Sequence, residues 1–129
     1  MEAQYIRIDR DGNKFYFKDS AMTLFHRHDG PAFEGANGRK EWWVDGKRHR
    51  LDGPAIEDDD GSKEWWVDGK QHRLDGPAFE YANGYKAWFV DGKLLSEEAF
   101  NALSKPIELT LDDIAAKFGV DVSKLKIVK

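Results

Sequence analysis

Three histidines carry the residue types of a general base. His26, His49 and His72 each precede an arginine and stand three residues before an aspartate, in His26-Arg27-His28-Asp29, His49-Arg50-Leu51-Asp52 and His72-Arg73-Leu74-Asp75. An imidazole oriented by a carboxylate can take a proton from a substrate. Imidazoles brought together can also ligate a metal. The spacing argues for neither, because the copies are placed for stacking in a column rather than for convergence on one point. The same residues then form a repeated hydrogen-bond ladder, with Arg paired to Asp and His bridging strands. The acidic run Glu57-Asp58-Asp59-Asp60-Gly61 invites calcium, but the alternating carboxylates and distant Glu of an EF-hand are missing, so it reads as a solvated turn. There is no Gly-rich phosphate loop before a helix, no Gly-x-Ser-x-Gly and no His-Glu-x-x-His. The expectation is a chain with no catalytic residues, no metal site and no cofactor, and no enzyme activity.

The elements that carry these residues repeat. Glu41–Lys63 and Glu64–Lys86 are each 23 residues long and agree at 17 positions. A third copy begins at Ala87 with Trp88-Phe89-Val90-Asp91-Gly92-Lys93 and then breaks off. A looser copy precedes them, with Phe15-Tyr16-Phe17-Lys18-Asp19 and His26-Arg27-His28-Asp29-Gly30-Pro31-Ala32-Phe33-Glu34. A fixed period of this size means stacked units, each too small to bury its own apolar face. Trp42-Trp43-Val44 suits a strand. Asp45-Gly46 is a strong two-residue hairpin turn, and Lys47-Arg48-His49-Arg50-Leu51 returns antiparallel. Asp52-Gly53-Pro54 bends the chain, Ala55-Ile56-Glu57 resumes it, and Asp58–Gly61 turns again, matched by Ala36-Asn37-Gly38 and Ala82-Asn83-Gly84. Each repeat is thus expected to be two strands and two turns. Alternation puts Trp42, Trp65 and Trp88 in one column and Trp43, Trp66 and Phe89 in another, on opposite faces. Lys47, Lys70 and Lys93 should line one long edge, and Glu57 to Asp60 the other.

Trp43, Asp45, Gly46, Lys47 and His49, with Trp66, Asp68, Gly69, Lys70 and His72, resemble the MORN repeat family over about residues 11–93. That resemblance implies an elongated single sheet of stacked β-hairpins used as a scaffold or docking surface. The chain departs from the family pattern at Arg50 and Arg73, where Gly is usual, and in its Asp-Gly-Pro-Ala second half. The His-Arg-x-Asp-Gly-Pro-Ala variant is similar to repeats scattered through bacteria, phages and large DNA viruses. By that resemblance the chain is a phage or mobile-element protein that binds and blocks a host protein.

After Lys93 the period changes from 2 to 3.6. Ser96 is placed to cap a helix that opens with Glu97 and Glu98, shares Phe100 and Leu103 on one face, and ends at Lys105-Pro106. Thr110 and Asp113 start a second helix, with Leu111, Ile114, Ala115 and Phe118 as its apolar stripe and Gly119 as its stop. Leu111–Val122 is similar to the start of a helix-turn-helix or to half of a LysM module. Six acidic and five basic residues in 96–129 make a poor phosphate footprint, so nucleic acid is the least favoured partner.

The 129 residues allow one domain with a modest core. Cysteine is absent, which excludes disulfides and thiolate chemistry and favours a reducing compartment. Met1-Glu2-Ala3-Gln4-Tyr5 is not a signal sequence, and no apolar run approaches the roughly 20 residues of a membrane span, so a cytoplasmic site is expected. A net charge of −4 gives no general pull toward nucleic acid or anionic lipid. The expected architecture is α+β: a meander of about four stacked antiparallel β-hairpins over residues 1–95, capped by short C-terminal helices over 96–129. The expected function is non-catalytic protein–protein interaction. Trp42, Trp43, Lys47, Arg48, Trp65, Trp66, Lys70 and Trp88 would contact a partner with an acidic surface, through exposed aromatics and the basic edge. The alternative is small-ligand or glycan binding on the stacked tryptophans.

Overall fold

A computed structural model describes residues 4–104. Within that span the chain is α+β. In chain order the strands are β1 (Tyr5–Ile8), β2 (Lys14–Phe17), β3 (Phe33–Glu34), β4 (Lys40–Glu41), β5 (Trp43–Val44), β6 (Lys47–Arg48) and β7 (Ile56–Glu57). Then come β8 (Lys63–Glu64), β9 (Trp66–Val67), β10 (Lys70–Gln71), β11 (Phe79–Glu80), β12 (Lys86–Val90) and β13 (Lys93–Leu95), followed by helix α1 (Glu97–Ser104). The main sheet has the order β1-β2-β3-β4-β7-β8-β11-β12-β13, antiparallel throughout.

Two kinds of turn alternate along it. Four wide turns, Asp9–Asn13, Gly35–Arg39, Asp58–Ser62 and Tyr81–Tyr85, lie at one edge. In each, a Gly N–H donates back three residues, at 3.1, 3.0, 3.1 and 2.9 Å, and that Gly has φ between 88° and 100°. This is a turn closed by a glycine bulge, and the acidic run 57–60 is one of the four. The other kind sits at Asp45-Gly46, Asp68-Gly69 and Asp91-Gly92, with φ of 50° at each Asp and 77–79° at each Gly. Two consecutive positive φ values make a type I′ turn, whose twist suits a tight hairpin.

The expectation of two strands per repeat is corrected here. A full repeat has four short ones, because the strand leading into the tight hairpin breaks at Trp42 and at Trp65. Trp42 N–H donates to Ala55 O (2.7 Å), while Trp42 O accepts from His49 N–H (3.0 Å). The chain thus changes partners at this residue, from the Pro-Ala half of the repeat to its own hairpin return. The return strand is correspondingly short, Lys47–Arg48, and does not run on through Leu51. The third copy has no Pro-Ala half, and there β12 runs unbroken through Trp88. The hairpins β5–β6, β9–β10 and β12–β13 bond to one another as a second ladder beside the main sheet. Gly69 N–H donates to Arg48 O (2.9 Å), Arg50 N–H to Trp66 O (3.0 Å) and Gly92 N–H to Gln71 O (2.8 Å).

Register assigns the faces. Lys14, Glu34, Lys40, Glu57, Lys63, Glu80 and Lys86 are successive cross-strand partners, so their charges alternate across the sheet. Opposite charges on neighbouring strands stabilise that register. The other face carries Phe15, Phe33, Glu41, Ile56, Glu64, Phe79 and Ala87 in the equivalent row. No second layer covers either face among the described residues, and the core is thin: Ile56 and the alanines 32, 55 and 78 are its tightest members. Ser96 caps α1 through Oγ to Ala99 N–H (3.1 Å), and Phe100 is buried where the helix meets β12 and β13. Leu103 is 65% exposed, so the helix buries one apolar residue of the expected pair. The expected second helix, and the segment expected to be similar to a helix-turn-helix, fall on residues outside those described.

The tight turn gives a direct test. Asp68→Gly should leave the urea midpoint nearly unchanged, since glycine accepts φ of 50°. Asp68→Ala should lower stability by about 1 kcal/mol, because a non-polar Cβ residue is disfavoured there. Equal effects would contradict the type I′ geometry.

Candidate functional site

On the face of Trp42 and Trp65, the motif His-Arg-x-Asp-Gly-Pro builds a clamp around its own arginine. Arg50 Nε donates to Asp52 Oδ1 (2.9 Å), and Nη1 donates to Pro54 O (3.0 Å) and Glu57 Oε1 (3.3 Å). Its guanidinium lies 3.8 Å from the centre of the Trp42 ring. Arg73 repeats this with Asp75, Pro77 O, Glu80 and the Trp65 ring at 3.7 Å. Arg27 does so with Asp29, Pro31 O, Glu34 and the Tyr16 ring at 4.0 Å. The other side of each guanidinium is closed by glycine: a Cβ on Gly30, Gly53 or Gly76 would stand 2.9–3.0 Å from the Arg Cζ. At these three positions it is this close approach, not φ, that an added side chain would disturb. The Asp–Arg pairing matches the expected local pair, but Asp52 is 87% exposed, so its removal is a surface event rather than the loss of a buried partner. The guanidinium hydrogen bonds hold Asp29 and Asp75 below the usual carboxylate pKa.

The histidines act between repeats. Asp45 N–H donates to His26 Nδ1 (2.9 Å), Asp68 N–H to His49 Nδ1 (3.0 Å) and Asp91 N–H to His72 Nδ1 (2.9 Å). Each imidazole thus fixes the tight turn of the next repeat, nineteen residues on. An accepting Nδ1 puts the ring proton on Nε2. The column reads as architecture, and no cluster suited to a metal occurs among the described residues.

Between successive clamps the face is grooved. One cavity of about 610 Å³ has Trp42 and Val44 at its base and the loops 27–30 and 49–52 as walls. The next, about 600 Å³, has Trp65 and Val67 at its base and loops 50–54 and 72–75 as walls. Apart from Pro54, which lines only the second, these linings are related residue for residue by the repeat, with His28 exchanged for Leu51. A third, about 440 Å³, holds Trp88 between Leu74–Pro77 and Glu97, Phe100 and Asn101 of α1. The crests carry Leu51 at 80% exposure and Leu74 at 64%. Both were missed as contact residues in the sequence reading. Their signal was an apolar residue set between Arg and Asp in a loop.

The sequence-named contact residues separate in space. Trp42, Trp65 and Trp88 lie in the grooves. Trp43, Trp66 and Phe89 are on the opposite face, joined to Phe25 (5.4 Å), Phe79 (6.4 Å) and Phe79 (5.1 Å) respectively. Arg48 is not at a free basic edge. Its guanidinium is wedged between Trp43 (5.1 Å) and Trp66 (5.0 Å), with its buried Nε 3.5 Å from Glu41. Trp43 and Trp66 donate from Nε1 to Glu41 and Glu64. Lys47 and Lys70 are exposed at the tight-turn edge, alongside Asp45 and Asp68, so that edge is of mixed sign. No single flat partner can touch both tryptophan columns.

Three outcomes are expected. Gly53→Ala should cost roughly 1–2 kcal/mol by crowding the clamp, and little when Arg50→Ala is already present; an equal cost in both backgrounds would sink the clamp. Nitrogen NMR should find His26, His49 and His72 as Nε2–H tautomers at neutral pH, and an Nδ1–H signal would contradict the ladder. The depressed carboxylates Asp29 and Asp75 contribute stability that is present above their unfolded value near 3.8 and lost as pH falls through their lower folded values. Melting temperature should therefore drop on acidification below about pH 4, which thermal scans between pH 6 and pH 3 would check. Comparison of the chain with protein-family models, with curated proteins and with solved structures gives no match.

Proposed function

We propose that the chain is a non-catalytic protein-docking module that engages its partner through the groove face. The supporting observation is a contrast between the two tryptophan columns. Trp43 and Trp66 have their ring N–H groups bonded within the domain. Those of Trp42, Trp65 and Trp88 donate to no acceptor among the described residues and are not buried. They stand at repeat intervals beside Leu51 and Leu74, which are exposed. Repeated, half-exposed aromatic donors next to apolar crests suit a macromolecular partner. Sugar binding is the weaker reading, because one face of each of the Trp42 and Trp65 rings already carries a guanidinium. For a phage or mobile-element protein, occupying a host protein in this way would block it.

The test is capture from lysate of the source cell or its host, with three substituted proteins beside the native one. Leu51→Glu with Leu74→Glu should abolish recovery of the partner without moving the melting temperature, since both side chains are exposed. Lys47→Glu with Lys70→Glu, and Phe89→Ala on the opposite face, should leave it. Loss of partner only with the lysine pair would transfer the site to the edge.

A further inference from the structure

We propose that the groove face binds an extended, polyproline II segment of its partner that carries a basic residue at every third position. This rests on the docking reading above and gives its ligand a chemical class.

Spacing selects the conformation. Each repeat adds two strands to the main sheet, and strands lie about 4.7–4.9 Å apart, so grooves recur every ~9.6 Å. A polyproline II chain advances about 3.1 Å per residue with three residues per turn, and so presents the same side every ~9.3 Å. A β-strand repeats its face every ~6.6 Å, and an α-helix turns every 5.4 Å or so. Neither keeps step with the grooves. The ligand would lie across the strands, one turn per groove.

Hydrogen bonding points the same way. A polyproline II backbone has no internal hydrogen bonds, so its carbonyls are free to accept. The open ring N–H groups of Trp42, Trp65 and Trp88 supply one donor per groove. Val44 and Val67 at the groove bases and Leu51 and Leu74 on the crests provide the apolar contact. Aromatic grooves are a general means of recognising this pre-extended conformation, which has little entropy left to lose.

Charge selects the side chains. In each clamp the arginine is largely covered, with 19–21% of its side chain exposed, whereas Asp29, Asp52 and Asp75 are 69%, 87% and 83% exposed. The crests therefore present carboxylates to solvent at the repeat interval. The lysines on this face, Lys14, Lys40, Lys63 and Lys86, alternate in register with Glu34, Glu57 and Glu80, so that row carries one net positive charge, apart from the crest carboxylates. A cation every third residue of the ligand meets one crest carboxylate after another, and at the last groove it meets Glu97 of α1.

The experiment is a tryptophan-fluorescence titration of the whole chain with synthetic peptides built from Pro-Pro-Arg units. Affinity should rise as the peptide grows from one unit to three and then level off, because three grooves are present among the described residues. A Pro-Pro-Glu peptide of equal length should not bind. Asp52→Asn with Asp75→Asn should weaken the Pro-Pro-Arg peptide about tenfold, as for two exposed charge contacts. Leu51→Glu with Leu74→Glu tests the site separately, because added carboxylates would attract a cation unless the apolar crests matter; the peptide should be lost. The proposal is overturned by no binding of Pro-Pro-Arg, by equal binding of Pro-Pro-Glu, or by affinity that ignores these substitutions. If a captured protein depends on Leu51 and Leu74 while the peptides fail, the docking reading stands and the ligand class proposed here is wrong.

Discussion

Each repeat is held to the next by an imidazole that accepts the N–H of an aspartate nineteen residues away. Among the described residues no second layer opposes the sheet, so its order there must come from bonds within the layer. The main ladder supplies some of these through two-residue strands, which alone are short for the purpose. The Nδ1 bond adds a contact at the far side of every repeat, where the tight hairpin would otherwise swing on Trp42 or Trp65. That bond needs only a backbone N–H at the first turn position; the choice of Asp-Gly there follows from the two consecutive positive φ values. The chemistry that first suggests a general base is thereby used up in holding the array straight.

The arginine clamp does the complementary task inside each repeat. It ties the Pro carbonyl, the aspartate and the strand glutamate to one guanidinium, and seats that cation on an aromatic ring. Glycine on the outer side lets the loop close down on it. The loop becomes a rigid crest, and rigid crests at constant spacing make grooves. Repetition turns a local solution to burying charge into a periodic surface.

The period, the tight Asp-Gly turns, the Ser96 cap and the opposition of the two tryptophan columns were legible in the sequence, because each depends on neighbouring residues or on simple alternation. The break at Trp42 was not. It arises because one residue bonds to two halves of the repeat, and alternation carries no mark of a change of partner. Arg48 read as an edge cation because its neighbour Lys47 is one; only the lateral approach of Trp66 to Trp43 closes a slot around it. Leu51 read as the end of a strand, whereas Arg50 leaves the hairpin to bond Trp66 and carries Leu51 onto a crest. Leu103 follows helical spacing, yet α1 meets the sheet only near Phe100. In each case the missing information lies between repeats rather than within one.

Position 95 is where a further histidine would stand, and the chain has leucine there. Leucine has no acceptor for another turn, and the following Ser96 starts a helix instead of an arginine clamp. The stop signal is therefore local to the last copy, while every internal joint is the same. Copies of the 23-residue cassette could be gained or lost upstream without disturbing either end. Such an array behaves as a ruler whose length is set by copy number, lengthening in increments of about 9.6 Å, and its reach could be retuned by recombination rather than by point mutation.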